Sequence, residues 1–357
     1  MRLRPTAPLL ALALTALTSH ALAQNPTVDL TPSKDNTMYT ADPVSGSNGA
    51  GTRFFTGADI GGTNRRGLIA FPIAGAIPAG STILSATLEL GVAQTRATDL
   101  PVHVHRVTSD WGAQGSVASS GQGGGGQAQT GDATWDFAFW PTTPWQTPGG
   151  GGDFVATQSA TTTVGSSGRF QWTGPQLIAD AQAMLDTPGS NFGWILITDE
   201  TGSLTSARAF HTREASAADR PKLTLTYLPP AASATSFGTG CTGGGPNPLT
   251  LTASGLPSVG NASFGFTLAG GPTGSTLGIV DLFFQAQLPP LPLGGGCSLY
   301  GNIGTLLTGL PATPSVPFGI PNNAALHGFE LVFQAIVFDT STFSLATSNG
   351  VTIRVGA

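Results

Sequence analysis

The sequence predicts an all-β protein: an N-terminal β-domain with one short helix, followed by a smaller all-β sandwich. Three observations carry this. Gly supplies 50 and Pro 27 of the 357 residues, and both are poor helix formers. Apolar segments of strand length recur, many with alternating side chains and most bounded by Gly, Pro or Asn. Hydrophobic residues make up 40% of the chain, enough to fill a core, so wholesale disorder is excluded.

The chain opens with Arg2 and Arg4, an apolar run from Pro8 to Leu17, and Ala21-Leu22-Ala23. This is the pattern of a secretory signal peptide covering residues 1–23, with the mature chain starting at Gln24. The run is too short to span a bilayer and no later run approaches eighteen apolar residues, so no membrane span is expected. The protein is therefore read as secreted, at the cell surface or in the extracellular medium.

Ser81-Thr-Ile-Leu-Ser-Ala-Thr-Leu-Glu-Leu90 alternates as a half-buried strand. In Val102-His-Val-His-Arg-Val107, Val102, Val104 and Arg106 share one face, and His103, His105 and Val107 the other. Gly193-Trp-Ile-Leu-Ile-Thr198 is continuously apolar, as suits a strand covered on both faces. Thr173-Gly174-Pro175 opens a helix with Leu177, Ala181, Met184 and Leu185 on one face, and Thr187-Pro188-Gly189 ends it. Lys222–Tyr227 is a further strand. In the C-terminal part, Phe264–Leu268, Val280–Phe284, Phe329–Phe338 and Val351–Val355 read the same way.

Charge divides the chain. Residues 24–230 hold sixteen acidic and eleven basic residues, whereas 231–357 hold only Asp281, Glu330, Asp339 and Arg354. The predicted organisation is a β-domain over 24–228, a Pro/Ala/Ser linker over 229–235 and a β-sandwich over 236–357. Cys241 and Cys297, in an exported chain, suggest one disulfide. The net charge of −5 supplies no basic footprint for nucleic acid.

An ordered set of short motifs then carries a family resemblance. Arg66-Gly-Leu-Ile-Ala-Phe71, Ile77-Pro-Ala-Gly80 and Ile83–Leu90 are followed by Val104–Val107, Asp110-Trp111 and Gly131-Asp-Ala-Thr-Trp135. Gly151–Phe154, Phe192-Gly-Trp194, Thr212-Arg-Glu214 and Arg220-Pro-Lys-Leu223 complete the set. From about Val28 to Tyr227 the chain resembles the DNRLRE domain, related to the repeats of archaeal disaggregatase. Of the name-giving motif only Asp35-Asn36 is present. The resemblance implies a secreted jelly-roll similar to carbohydrate-binding modules for acidic polysaccharides such as alginate.

The expected function is therefore non-catalytic binding of extracellular or cell-surface polysaccharide, including uronic-acid polymers. Sugar rings stack on aromatic faces, so the candidates are Trp111, Trp135, Trp140 and Trp145, with Arg65, Arg66 and Arg106 as counter-charges to an acidic chain. Two rivals stand beside this reading: a structural surface or matrix protein without a sugar ligand, and a polysaccharide lyase or hydrolase. The loop acids Asp110, Asp132, Asp136 and Asp153 could serve the latter but suit turn hydrogen bonds. No cofactor is expected beyond a structural calcium ion, for which the oxygens of Asp35, Asn36, Asp42 and Asn48 are candidates. The glycine runs 121–126 and 149–152 lack the Lys-Ser/Thr of a phosphate loop and read as mobile loops.

Overall fold

The computed structural model describes residues 25–40, 46–59, 61–95, 99–119, 121–201, 205–274 and 276–357. The signal segment 1–23 and Asp42 lie outside the described residues. Strands dominate, with one α-helix among the described residues. The N-terminal strands are β1 Thr27–Leu30, β2 Lys34–Tyr39, β3 Gly46–Ser47, β4 Arg53–Ala58, β5 Asn64–Ala70, β6 Thr82–Thr95, β7 Leu100–Val107 and β8 Gly126–Gln127. They continue with β9 Phe137–Phe139, β10 Thr143–Pro144, β11 Phe154–Val164, β12 Gly168–Thr173, helix α1 Pro175–Asp186, β13 Trp194–Ile197, β14 Arg208–His211 and β15 Lys222–Leu228.

Eleven of these strands form one antiparallel sheet in the order β1-β15-β6-β14-β4-β5-β13-β7-β11, with β12 also on β6 and β2 on β5. The sheet folds over at a corner where β4 meets β5 through only two residue pairs, Gly57 with Arg65 and Ala58 with Asn64. The two halves thus face each other across a core. Leu88, Leu90, Trp172, Phe210 and Leu223 come from one side, and Ile69, Val102, Val104, Trp194 and Leu196 from the other. Helix α1 closes this core with Leu177, Ala181, Met184 and Leu185, the face expected from their spacing. Gly174 precedes the helix and Pro175 occupies its first turn, where a missing N–H is harmless.

Strand β13 shows why its sequence is continuously apolar. Trp194 and Leu196 point into the central core, while Ile195 joins a second cluster with Met38, Leu68, Val107, Trp111 and Trp145. That cluster lies under the loops of residues 108–153, so β13 is buried on both faces. On β7, Arg106 shares the Val102–Val104 face, as alternation requires, and meets Asp180 of α1 at 3.3 Å.

The C-terminal strands are β16 Ser233–Phe237, β17 Thr250–Ala253, β18 Gly265–Ala269, β19 Thr276–Phe283 and β20 Ala286–Gly294. They continue with β21 Cys297–Gly301, β22 Leu306–Pro311, β23 Ser315–Pro317, β24 Glu330–Asp339 and β25 Ser344–Arg354. A five-stranded sheet, β16-β25-β24-β19-β22, packs on the three-stranded sheet β17-β18-β23. Leu251, Phe264, Phe266 and Val316 meet Val280, Phe333, Val351 and Ile353 between them. A disulfide joins Cys241 and Cys297, whose Cα atoms are 5.0 Å apart.

No strand pairing among the described residues crosses 229–232. The expected linker 229–235 is shorter in the structure. Ser233 already pairs with Arg354, and Ala234 packs on the C-terminal core. Pro229 and Pro230 are buried, and Pro230 O accepts a hydrogen bond from Ala357 N. No helix among the described residues is long and apolar enough to cross a membrane.

Replacing both Cys241 and Cys297 by Ser should cost about 4 kcal/mol in the chain-entropy account of a loop this long. Urea unfolding with and without reductant measures it, and the reduced wild type should match the double variant. Trp194→Ala, which empties the fully buried indole site of β13, should cost about 3–5 kcal/mol in the same assay.

Candidate functional site

A groove of about 600 Å³ lies over the strands that make the corner. Phe55 of β4 and Ala209 of β14 belong to its floor, with Gln94 and Thr95 of β6 and Arg65 of β5 around them. Asp59, Thr63, Thr205, Ala207 and the glycines 61, 121, 123 and 124 complete the described lining. Hydrogen-bonding side chains and small residues therefore line the groove over a buried aromatic ring.

The glycine wall is built, not loose. Tyr39 Oη donates to Gln122 O at 2.9 Å, and Arg65 Nε donates to Gly123 O at 2.6 Å. Gln122 has a positive φ of 62°, an unfavourable conformation for a residue with a side chain. Its side chain helps to hold it there, because Oε1 accepts from Arg53 N at 3.0 Å and Asn48 Nδ2 at 3.3 Å. A Cβ on Gly125, at φ 77°, would come within 3.0 Å of the Tyr39 ring. Only glycine serves there. The run 121–126, expected as a mobile loop, has defined hydrogen-bond partners in the structure.

Arg65 does not stand free. It is buried, with Nη1 on Thr63 O at 2.8 Å, Nη2 on Asp59 Oδ2 at 2.7 Å, and its guanidinium over the Tyr39 ring. That pairing lowers the Asp59 carboxyl below its usual range against the opposing effect of burial. Arg66 makes two hydrogen bonds of 2.8 Å to the Glu200 carboxylate and one of 2.8 Å to Gly149 O. Arg106 is paired with Asp180. The three arginines expected as counter-charges are therefore already neutralised within the fold.

The tryptophans are corrected too. Trp111 is 1% exposed, and its Nε1 donates to Phe192 O at 2.7 Å while Lys34 Nζ sits 4.3 Å from the ring. Trp145 is 5% exposed and donates to Thr134 O at 2.9 Å. Neither ring can stack on a sugar. Both anchor loops to the second cluster, because a buried indole brings a large apolar area and needs only one acceptor. Trp135 is half-buried with the Arg66 guanidinium 5.1 Å from its ring. Trp140 is also half-buried. None of the four lines the groove.

Among the described residues, the calcium candidates Asp35, Asn36 and Asn48 are engaged elsewhere. Asn36 Oδ1 accepts from Thr37 N, Ser47 Oγ and Asn48 N at 2.7–3.0 Å. Asn48 Oδ1 accepts from Ala118 N at 2.8 Å. Amide oxygens so engaged are poor cation ligands, and Asp35 turns instead toward Arg213 N at 2.9 Å. Among the described residues no group of three His, Cys, Asp or Glu side chains is placed to hold a metal ion. Of the loop acids, Asp132 accepts from Gln114 N and Gln129 N, and Asp153 from Gln146 N and Ser109 Oγ. Asp110 pairs with Lys34. His105 is held neutral-leaning by burial, its Nδ1 3.0 Å from Val155 O.

No family model matches the chain, and no curated protein matches it.

Sequence reasoning missed the groove because its residues are individually ordinary and come from four separate stretches, 55–65, 94–95, 121–124 and 205–209. The one available signal was the glycine run 121–126, whose meaning depends on the rings beneath it. Trp111→Ala and Trp145→Ala should each lose about 3–5 kcal/mol of stability, readable by thermal or chemical unfolding. A binding loss with unchanged stability would contradict their placement.

Proposed function

We propose that this chain holds an extracellular polysaccharide without cleaving it, in the groove between the glycine wall and strands β4, β6 and β14. The observation that carries the reading is the lining: hydroxyl, amide and carboxylate groups, of the kind sugar hydroxyls require, among small residues over the buried Phe55. The motif resemblance to secreted carbohydrate-binding jelly-rolls supports it. So does the disulfide, which belongs to oxidising compartments and agrees with the signal-like opening segment.

The charge state of the lining favours an uncharged glycan over a uronic-acid polymer. Its one cation, Arg65, and its one carboxylate, Asp59, are bonded to each other. Hydrolysis by paired acids uses two carboxyl groups flanking the bond, and the described lining offers one, already engaged. This supports holding rather than cleavage.

A polysaccharide array with the full secreted chain tests the reading. Neutral glycans should be retained and uronic polymers should not. Ala207→Trp, which fills the groove, should abolish retention. Gln94→Ala should weaken it about tenfold, the loss of one good hydrogen bond of about 1.4 kcal/mol. Stability of the exposed Gln94 variant should stay within about 0.5 kcal/mol. Folded protein that retains no polymer, or retains it equally with Ala207→Trp, would overturn the proposal, and release of new sugar ends would establish an enzyme instead.

A further inference from the structure

The C-terminal sandwich leaves part of its five-stranded sheet bare. Side chains alternate across a strand, and Val280, Leu282, Phe333, Ala335 and Val337 of β19 and β24 fill the core. Leu277, Ile279, Ile336 and Phe338 therefore lie on the outer face. The register sets Leu277 opposite Phe338 and Ile279 opposite Ile336, with Pro311 of the edge strand β22 on the other side of Ile279. The hairpin β20–β21 covers one end of this face, where Leu299 packs on Phe283 and Val332. At the other end Leu277 is 70% exposed, Ile279 46% and Phe338 37%.

The turn after β24 adds to this end. Phe343 is 80% exposed, with its ring centre 6.2 Å from that of Phe338. Its φ is 53°, a strained conformation for a bulky residue, of the kind that concentrates where a side chain is used. Asp339 ties the turn, its Oδ1 accepting from Ser341 N at 2.8 Å and Ser341 Oγ at 2.6 Å. A hydrogen-bonded turn thus holds the phenyl ring out in solvent beside three other apolar side chains.

Single exposed apolar residues need no explanation, but a contiguous patch does. Taking about 200 Å² for a fully exposed large apolar side chain, these four residues and the exposed Pro311 present roughly 500 Å². A standard interface takes about 800 Å² from each partner, and in homodimers about 65% of it is apolar. The patch is thus of the size that one side of a stable homodimer supplies. Charge points the same way. Residues 231–357 hold only Asp281, Glu330, Asp339 and Arg354. Glu330 is paired with Arg354, and Asp281 and Asp339 are buried. Two such faces meet without like-charge repulsion, whereas a lipid surface would find the one cation already paired.

We infer that this end of the sheet is the contact face of a homodimer, against which a second copy of the chain lays its own Leu277, Ile279, Phe338 and Phe343. A two-fold axis lets one patch serve both copies. Sheet faces stack about 10 Å apart with their side chains interdigitating, and the two apolar rows of β19 and β24 offer such a surface. The groove belongs to strands of the N-terminal sheet, so the dimer stands or falls independently of any glycan.

Sedimentation velocity of the full secreted chain, without any glycan, tests this. Wild type should pass from monomer to dimer as its concentration rises. Leu277→Lys, which sets a charge in the patch of each copy, should weaken the dimer about a hundredfold, and Phe343→Ser about tenfold. Both side chains are exposed, so the circular dichroism of either variant should match wild type. Leu84→Lys, at an exposed position on β6 of the N-terminal sheet, should leave self-association unchanged. A dimer that Leu277→Lys and Phe343→Ser both leave intact would overturn the inference. So would a wild type that stays monomeric at its highest soluble concentration, and retention of that monomer on phosphatidylcholine vesicles would assign the face to a lipid surface instead.

Discussion

Asn36 lies on β2 with no exposure, and its amide makes five hydrogen bonds. The oxygen accepts from Thr37 N, Ser47 Oγ and Asn48 N, and the nitrogen donates to Gly112 O and Ala133 O. Loops carry backbone polar groups that cannot be buried unpaired. The 46–52 and 108–153 segments cover one face of the sheet without strand ladders of their own length to satisfy them. A single side chain on a rigid strand supplies the missing partners for both. From there the order propagates: Asn48 fixes Ala118, Arg53 and Gln122, and Gln122 and its glycine neighbours form the groove wall. An acidic residue at position 36 would keep the acceptor but lose the two donors, which explains why an amide stands there.

The fold was largely legible in the sequence because periodicity reports burial. The run through β13 gave both its faces, the α1 spacing gave the helix face, and alternation on β7 gave Arg106 its side. Boundaries were less legible where pairing extends beyond the apolar pattern. Strand β6 continues to Thr95 because β12 and β14 supply ladder partners along its far half, not because its own residues insist on it. In β19, Val280 is buried while its neighbour Ile279 is 46% exposed; two adjacent apolar residues read alike until the cover of each sheet face is known.

The site was hardly legible. Aromatic and basic residues were singled out for their chemistry, but their availability is a property of the fold. An indole is the best ligand stack and also the best loop anchor, and Trp111 and Trp145 serve as the latter. Arg65 and Arg66 were read as an adjacent pair. Alternation sends them to opposite faces of β5, one to Asp59 and the other to Glu200. Asp35 was read among possible cation ligands, yet its hydrogen-bond partner, Arg213 N, comes from 178 residues further along the chain.

The ion pairs have a consequence for how anything finds this surface. Lys34, Arg65, Arg66, Arg106, Arg169, Arg213, Lys222 and Arg354 each stand within 3.3 Å of a carboxylate. Opposite charges held that close cancel within a fraction of the roughly 8 Å screening length of physiological salt. These eight pairs therefore reach little beyond themselves and give a polyanion little to follow. Encounter is then governed by diffusion and by the shape of whatever first touches, and ionic strength becomes a weak control over it.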